Sequence, residues 1–204
     1  MLKNLCLLSS LLVTTPLFAA DTAPKEPVHS LQFTTTVINQ KTGIPGSFHK
    51  IWVDGDKARI EEYTIPGKPI STVLLTDGQT GYMYTPRTQN ATVFSGISTL
   101  TAQAANFVTE ANMKAAWGGV VKPQPDETLN GVNCRVYKLG GLMAWFDAST
   151  GLGIRYASVR EATTPGGTFY SDIKIPADHD NSLYTLPPDA HIKNPGFVPG
   201  IGGK

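Results

Sequence analysis

The stretch "VLLTDGQTGYMYTP", Val73 to Pro86, sets an Asp-Gly pair between two runs of apolar, hydroxyl and aromatic residues. An Asp-Gly step flanked in this way is a strong short-range signal for a hairpin. Side chains alternate across a strand, so Tyr82 and Tyr84 share one face and Met83 takes the other. Pro86 ends the second strand, because it has no N–H to give to a ladder. The segment offers rings and hydroxyls, with no catalytic base, nucleophile or metal ligand among them.

The same alternation continues on both sides. Upstream, "LQFTTTVI" places Leu31, Phe33 and Val37 on one face, and "SFHKIWV" alternates Phe48 and Trp52 against Ile51 and Val53. "DGD" then turns the chain into "KARIEEY". Downstream, "RTQN" leads into "ATVF" and completes a meander. The period changes at Ser98: Leu100, Ala104, Phe107, Val108, Ala111 and Ala115 recur at helical spacing as far as Trp117, with Ser98 or Thr99 as the N-cap. Strands resume in "VNCRVYKL", "LMAWF", "GIRYASVRE" and "TFYSDIKI", joined by the Gly-rich turns "DASTGLG" and "TPGG". The expectation is a mainly β fold of eight or nine strands with one helical insertion, its apolar stripe covering a face of the sheet.

The chain has 204 residues. Residues 1–20, "MLKNLCLLSSLLVTTPLFAA", have the form of a secretory signal peptide, with Lys3, a short apolar run and small residues at Ala19 and Ala20. Cleavage there predicts an exported protein and leaves Cys134 without an intramolecular disulfide partner. Residues 21–194 then make one domain, large enough to be held by its core alone. The tail, 195–204, is rich in Pro and Gly and is expected to be flexible. Seventeen Lys and Arg balance sixteen Asp and Glu without a basic cluster, so no nucleic-acid partner is expected.

Chemistry is sparse. His29, His49, His179 and His191 share no metal-ligand spacing, and "DHDN" at 178–181 reads as a solvated loop. There is no G-x-S-x-G elbow, S-x-x-K or phosphate-binding Gly loop. Cys134 falls on a strand face with Val132 and Val136 and reads as core. Glu61 and Glu62 point to opposite faces, whereas Arg59 and Glu61 share one and suit either an ion pair or a polar group at a cavity mouth. What stands out is aromatic density, including Phe33, Trp52, Tyr82, Tyr84, Tyr137, Trp145 and Tyr170. A curved sheet with a single helical element on its concave side leaves apolar space between the two.

Four stretches carry a resemblance: "KARIEEY", the hairpin "LLTDGQTGYMYTPRTQNATVF", the hairpin "AWFDASTGLGIRY" and the closing "SLYTLPPDAHI". In order and separation they resemble the LolA-like superfamily of periplasmic lipoprotein carriers. The resemblance implies an incomplete, strongly curved antiparallel barrel covered by helix, a periplasmic location, and a role for Arg59 in engaging a lid. The chain departs from the carriers in lacking their long N-terminal amphipathic helix, since Pro24 and Pro27 disfavour one in "DTAPKEPVHS".

The expected function is non-enzymatic: binding of a lipid or a lipoprotein acyl chain in an apolar cavity, for carriage or sensing in the cell envelope. The alternative is an interaction module that binds a membrane-protein partner through the same sheet. The expected ligand-binding residues are Phe33, Trp52, Arg59, Glu61, Tyr82, Tyr84, Phe107 and Trp145; no catalytic residue, metal or cofactor is assigned.

Overall fold

The computed structural model describes residues 24–64 and 68–193, the side chains of Ser98 and Leu100 apart. The signal-peptide and tail segments lie outside the described residues. The first meander comprises β1 (Ser30–Ile38), β2 (Pro45–Asp54), β3 (Lys57–Tyr63), β4 (Thr72–Thr76), β5 (Gly81–Thr85) and β6 (Asn90–Val93). Two helices follow, α1 (Ile97–Ala105) and α2 (Glu110–Trp117), and then β7 (Val121–Leu129), β8 (Val132–Leu139), β9 (Leu142–Asp147), β10 (Gly153–Ser158), β11 (Gly167–Lys174) and β12 (His191–Lys193).

All twelve strands form one curved sheet in the order β12-β6-β5-β4-β3-β2-β1-β11-β10-β9-β8-β7. β7 and β12 are its two edges, so the barrel is not closed. Neighbours are antiparallel except β12, which runs parallel to β6. The two meanders meet at the centre, where β1 pairs with both β2 and β11.

The Asp-Gly turn forms as its chemistry dictates. Asp77 Oδ1 accepts hydrogen bonds from the backbone N–H groups of Gln79 and Thr80, both at 2.9 Å, and Gly78 takes a φ of 96° that disfavours a Cβ. The sheet has twelve strands where the sequence predicts eight or nine, and two of them, β7 and β12, carry weak signals. β7 contains Pro123 and Pro125, which an edge strand pairing only with β8 tolerates, with a register shift between Gln124 and Glu127. β12 is only three residues long.

The single expected helix is two helices. Their break centres on Asn106–Thr109, where Thr109 Oγ1 accepts from the N–H of Asn112 at 3.0 Å and caps α2. α1 starts at Ile97 with Gly96 as its N-cap, so Ser98 and Thr99 fall inside its first turn. The break is stitched to the β9–β10 turn: Glu110 N–H donates to the Gly151 carbonyl at 2.9 Å, and Gly153 N–H to that of Val108 at 2.8 Å. A Cβ on Gly153 would overlap the Phe107 carbonyl, so glycine is what permits this approach. Asn112 also ties down the N-terminal segment, accepting from Val28 N–H at 2.7 Å and donating to its carbonyl at 3.0 Å.

The sheet buries apolar side chains on both faces. On the concave face Leu31, Phe33, Ile51, Ile60, Phe146 and Tyr170 pack with Phe107, Val108 and Met113 of the helical layer. On the convex face there are two smaller clusters. One holds Val73, Leu75, Tyr84 and Ala91 beneath Leu186 and Ala190 of the C-terminal segment. The other holds Cys134, Val136, Trp145 and Ala157, packed with Ala162 of the β10–β11 loop. Arg155, 5% exposed, fixes that loop by donating to the carbonyls of Glu161, Ala162, Thr164 and Gly166 while lying over the Trp145 ring.

Candidate functional site

A cavity of about 450 Å³ lies between the concave face and α1, within the ~300–1,000 Å³ usual for small-molecule sites. Adjacent strands deliver its walls in register. Ile51 faces Ile60, Ile60 faces Leu74 and Leu74 faces Met83, giving an apolar row across β2 to β5. Tyr170 and Tyr156 close the other side, with Val37 from β1, Phe94 after β6 and Ala104 from α1. Ala104 matters by being small, because a larger side chain at this helical position would occupy the space. The Tyr170 hydroxyl donates to the Ala104 carbonyl at 3.0 Å and fixes the helix over the sheet. Val37 and Met83 are 36% and 40% exposed and mark the mouth.

An aromatic chain supports the floor: Phe107 stacks on Tyr156 at 4.7 Å between centroids, and Tyr156 lies 6.0 Å from Tyr170. Burial raises the Tyr170 phenol well above the ordinary range, so it stays a neutral donor. Besides the hydroxyls of Tyr156 and Tyr170, the polar part of the lining is Thr35, His49, Glu62, Thr72 and Thr168. His49 Nδ1 lies 3.3 Å from Thr35 Oγ1, and His49 stands opposite Glu62 in the β2–β3 pair. Burial lowers the His49 pKa, and the negative charge of Glu62 offsets part of that shift. The imidazole is therefore neutral at pH 7, and among the described residues Glu62 is the one charged side chain in the lining.

The eight residues expected to bind ligand are placed elsewhere. Phe33 and Phe107 are buried in the concave-face core beside the cavity. Trp52, Arg59, Glu61, Tyr82, Tyr84 and Trp145 belong to the convex face, as their strand registers require. Arg59 and Glu61 do pair, Nε donating to Oε1 at 2.8 Å. Arg59 Nη1 also donates to the Leu183 carbonyl at 3.1 Å, so the segment it holds is the C-terminal one, on the side away from the cavity. Tyr84 and Trp145 are covered by that segment and by the β10–β11 loop respectively.

Alternation gave the correct partition of side chains and left open which set turns inward. A signal was present in the registers. Lys50, Trp52, Arg59 and Glu61 share one face, whereas His49, Ile51, Ile60 and Leu74 share the other. Three charged side chains mark the first set as the outer one.

No protein-family model matches the chain, and no curated protein matches it in sequence. Solved structures do match. A structure of an uncharacterized conserved protein from Thermus thermophilus is 9% identical over 81% of this chain and 90% of its own, with a TM-score of 0.52. A LolA superfamily protein from Nitrosomonas europaea is 16% identical over 80% of this chain and 92% of its own, at 0.37. The structure of MucB in complex with MucA(peri) is 14% identical over 82% of this chain and 56% of its own, at 0.42. At these identities the likeness is one of fold. The open, curved sheet with helices on its concave side has the half-barrel architecture that the sequence resemblance implied.

Proposed function

We propose that this chain is a non-enzymatic binding protein of the cell envelope that takes an acyl chain, from a lipid or an acylated protein, into the cavity beneath α1. The observation that carries the proposal is the composition of that space. Ile51, Ile60, Leu74, Met83, Tyr156 and Tyr170 converge on a volume that no side chain fills, and one end is open past Val37 and Met83. Each methylene moved from water into such a site contributes about 0.8 kcal/mol, so a chain of ordinary length supplies enough binding energy without any chemistry. The signal-peptide form of residues 1–20 supports an envelope location.

The test is mass spectrometry of an organic extract of protein purified without detergent, set beside the Ala104→Trp variant. A stoichiometric acyl species in the wild type, absent from a variant that keeps its circular dichroism spectrum, is the expected result. A clean extract from both proteins refutes the proposal and moves the function to a protein partner docked on the sheet.

A further inference from the structure

The apolar walls of the cavity leave the head group of an acyl ligand open, and the polar lining bears on it. Among the described residues the lining contains one carboxylate, Glu62, and no Lys or Arg. Lys50, next to His49 in sequence, lies on the opposite face of β2 with its ammonium 4.8 Å from the Trp52 ring, so it does not reach in. The remaining polar side chains are the hydroxyls of Thr35, Thr72, Tyr156, Thr168 and Tyr170 and the His49 imidazole. Neutral imidazole and hydroxyls serve a hydroxyl or an amine as partners, but they give a carboxylate no countercharge.

We infer that the cavity takes a chain whose head group is cationic or uncharged, and that it turns away free carboxylates. The inference rests on the acyl-binding proposal. A carboxylate brought to this lining faces the exposed Glu62 carboxylate without a cationic partner, and like charges in water repel, most at low salt. An ammonium gains from the same Glu62. The chain's charge is close to balanced, +1 over all 204 residues, so a preference for cations would come from the site itself.

The experiment is calorimetric titration of the purified protein with dodecylamine, dodecanol and dodecanoate, near neutral pH, at low salt and below their aggregation limits. Chain length is common to the three, so only the head differs. The expected order is amine first, then alcohol, then acid, with the amine about tenfold tighter than the acid; tenfold is the factor that 1.4 kcal/mol makes. Glu62 is exposed, so Glu62→Gln leaves folding unchanged, and it is expected to bring amine and acid to within about twofold. Acid binding as tightly as amine or alcohol overturns the head-group inference while leaving the acyl-chain site standing. Selectivity that survives Glu62→Gln overturns the assignment to that residue. Failure of all three to bind overturns the acyl-chain proposal and this one with it.

Discussion

Replacing Arg155 with Leu removes the fastening of the β10–β11 loop. The guanidinium donates from Nε to the Gly166 carbonyl at 3.1 Å, from Nη1 to Ala162 at 3.3 Å, and from Nη2 to Glu161 and Thr164 at 2.8 Å each and to Gly166 at 2.5 Å. Its central carbon lies 4.6 Å from the centroid of Trp145 and 5.5 Å from that of Phe169. The carbonyls of Ala162, Thr164 and Gly166 lose their donor, whereas that of Glu161 keeps the N–H and hydroxyl of Thr164; at a net cost near 1 kcal/mol each, because a surface loop recovers part of its hydration, the total is about 3 kcal/mol. For a domain of this size each kcal/mol lowers the melting temperature by roughly 2–4 °C, so Arg155→Leu should melt about 6–12 °C below wild type. Scanning calorimetry measures the loss, and limited proteolysis should find new cleavage between residues 159 and 166. Arg155→Lys should recover less than half, because a point charge cannot serve four carbonyls spread around a planar fork. A melting temperature within about 2 °C of wild type for Arg155→Leu would refute the reasoning.

Asn112→Ala strips both backbone partners from Val28 and one from the Ala105 carbonyl, and should cost about 1–3 kcal/mol in urea unfolding while exposing residues 24–29 to protease. Asn112→Asp keeps the acceptor but sets a carboxylate against the Val28 and Ala105 carbonyls in a buried place, so it should cost at least as much as the alanine. The Tyr63 phenol is pushed from 10.0 up to about 12, first by burial and then by its hydrogen bond to Glu61. The folded protein thus holds a proton that the unfolded chain releases above pH 10, and the stabilisation is complete below pH 10 and lost as pH rises to about 12. The stability difference between wild type and Tyr63→Phe should therefore shrink across that interval; a difference constant with pH would count against the Glu61 contact.

Much of the strand layout was legible because period-two alternation is a direct consequence of backbone geometry. The Asp77-Gly78 turn, the 54–57 turn and the pairing of Arg59 with Glu61 all follow from it. The inward face was not legible in the same way, because aromatic residues lie on both sides of this sheet. Trp52, Tyr84 and Trp145 are as deeply buried as core residues, yet the covers of Tyr84 and Trp145 are a C-terminal segment and a loop, neither of which has a periodicity to announce it. The cavity was harder still. Its position depends on a small residue, Ala104, facing a row of Ile and Leu that begins at Ile51, on strands that only pairing brings into register, and it lies where side chains stop short. The division of the helical segment escaped for a related reason: Phe107 and Val108 continue the apolar stripe, and the cap at Thr109 is visible only once Asn112 is known to donate to it.

The central pairing of β1 with β11 bears on the order in which this protein can fold. Gln32 lies opposite Lys174, so the strand that joins the halves draws one partner from near the start of the described chain and the other from near its end. The β1–β6 meander can form from local hairpins early in synthesis, but one edge of β1 then stays unpaired until β11 is made. β12 and the segment that covers Val73, Leu75 and Tyr84 emerge later still. Contacts this distant in sequence slow folding and leave an apolar edge open to other chains in the meantime. A nascent or partly delivered chain of this protein is therefore a two-piece object with sticky seams, and it becomes a single cooperative unit only when its last third arrives.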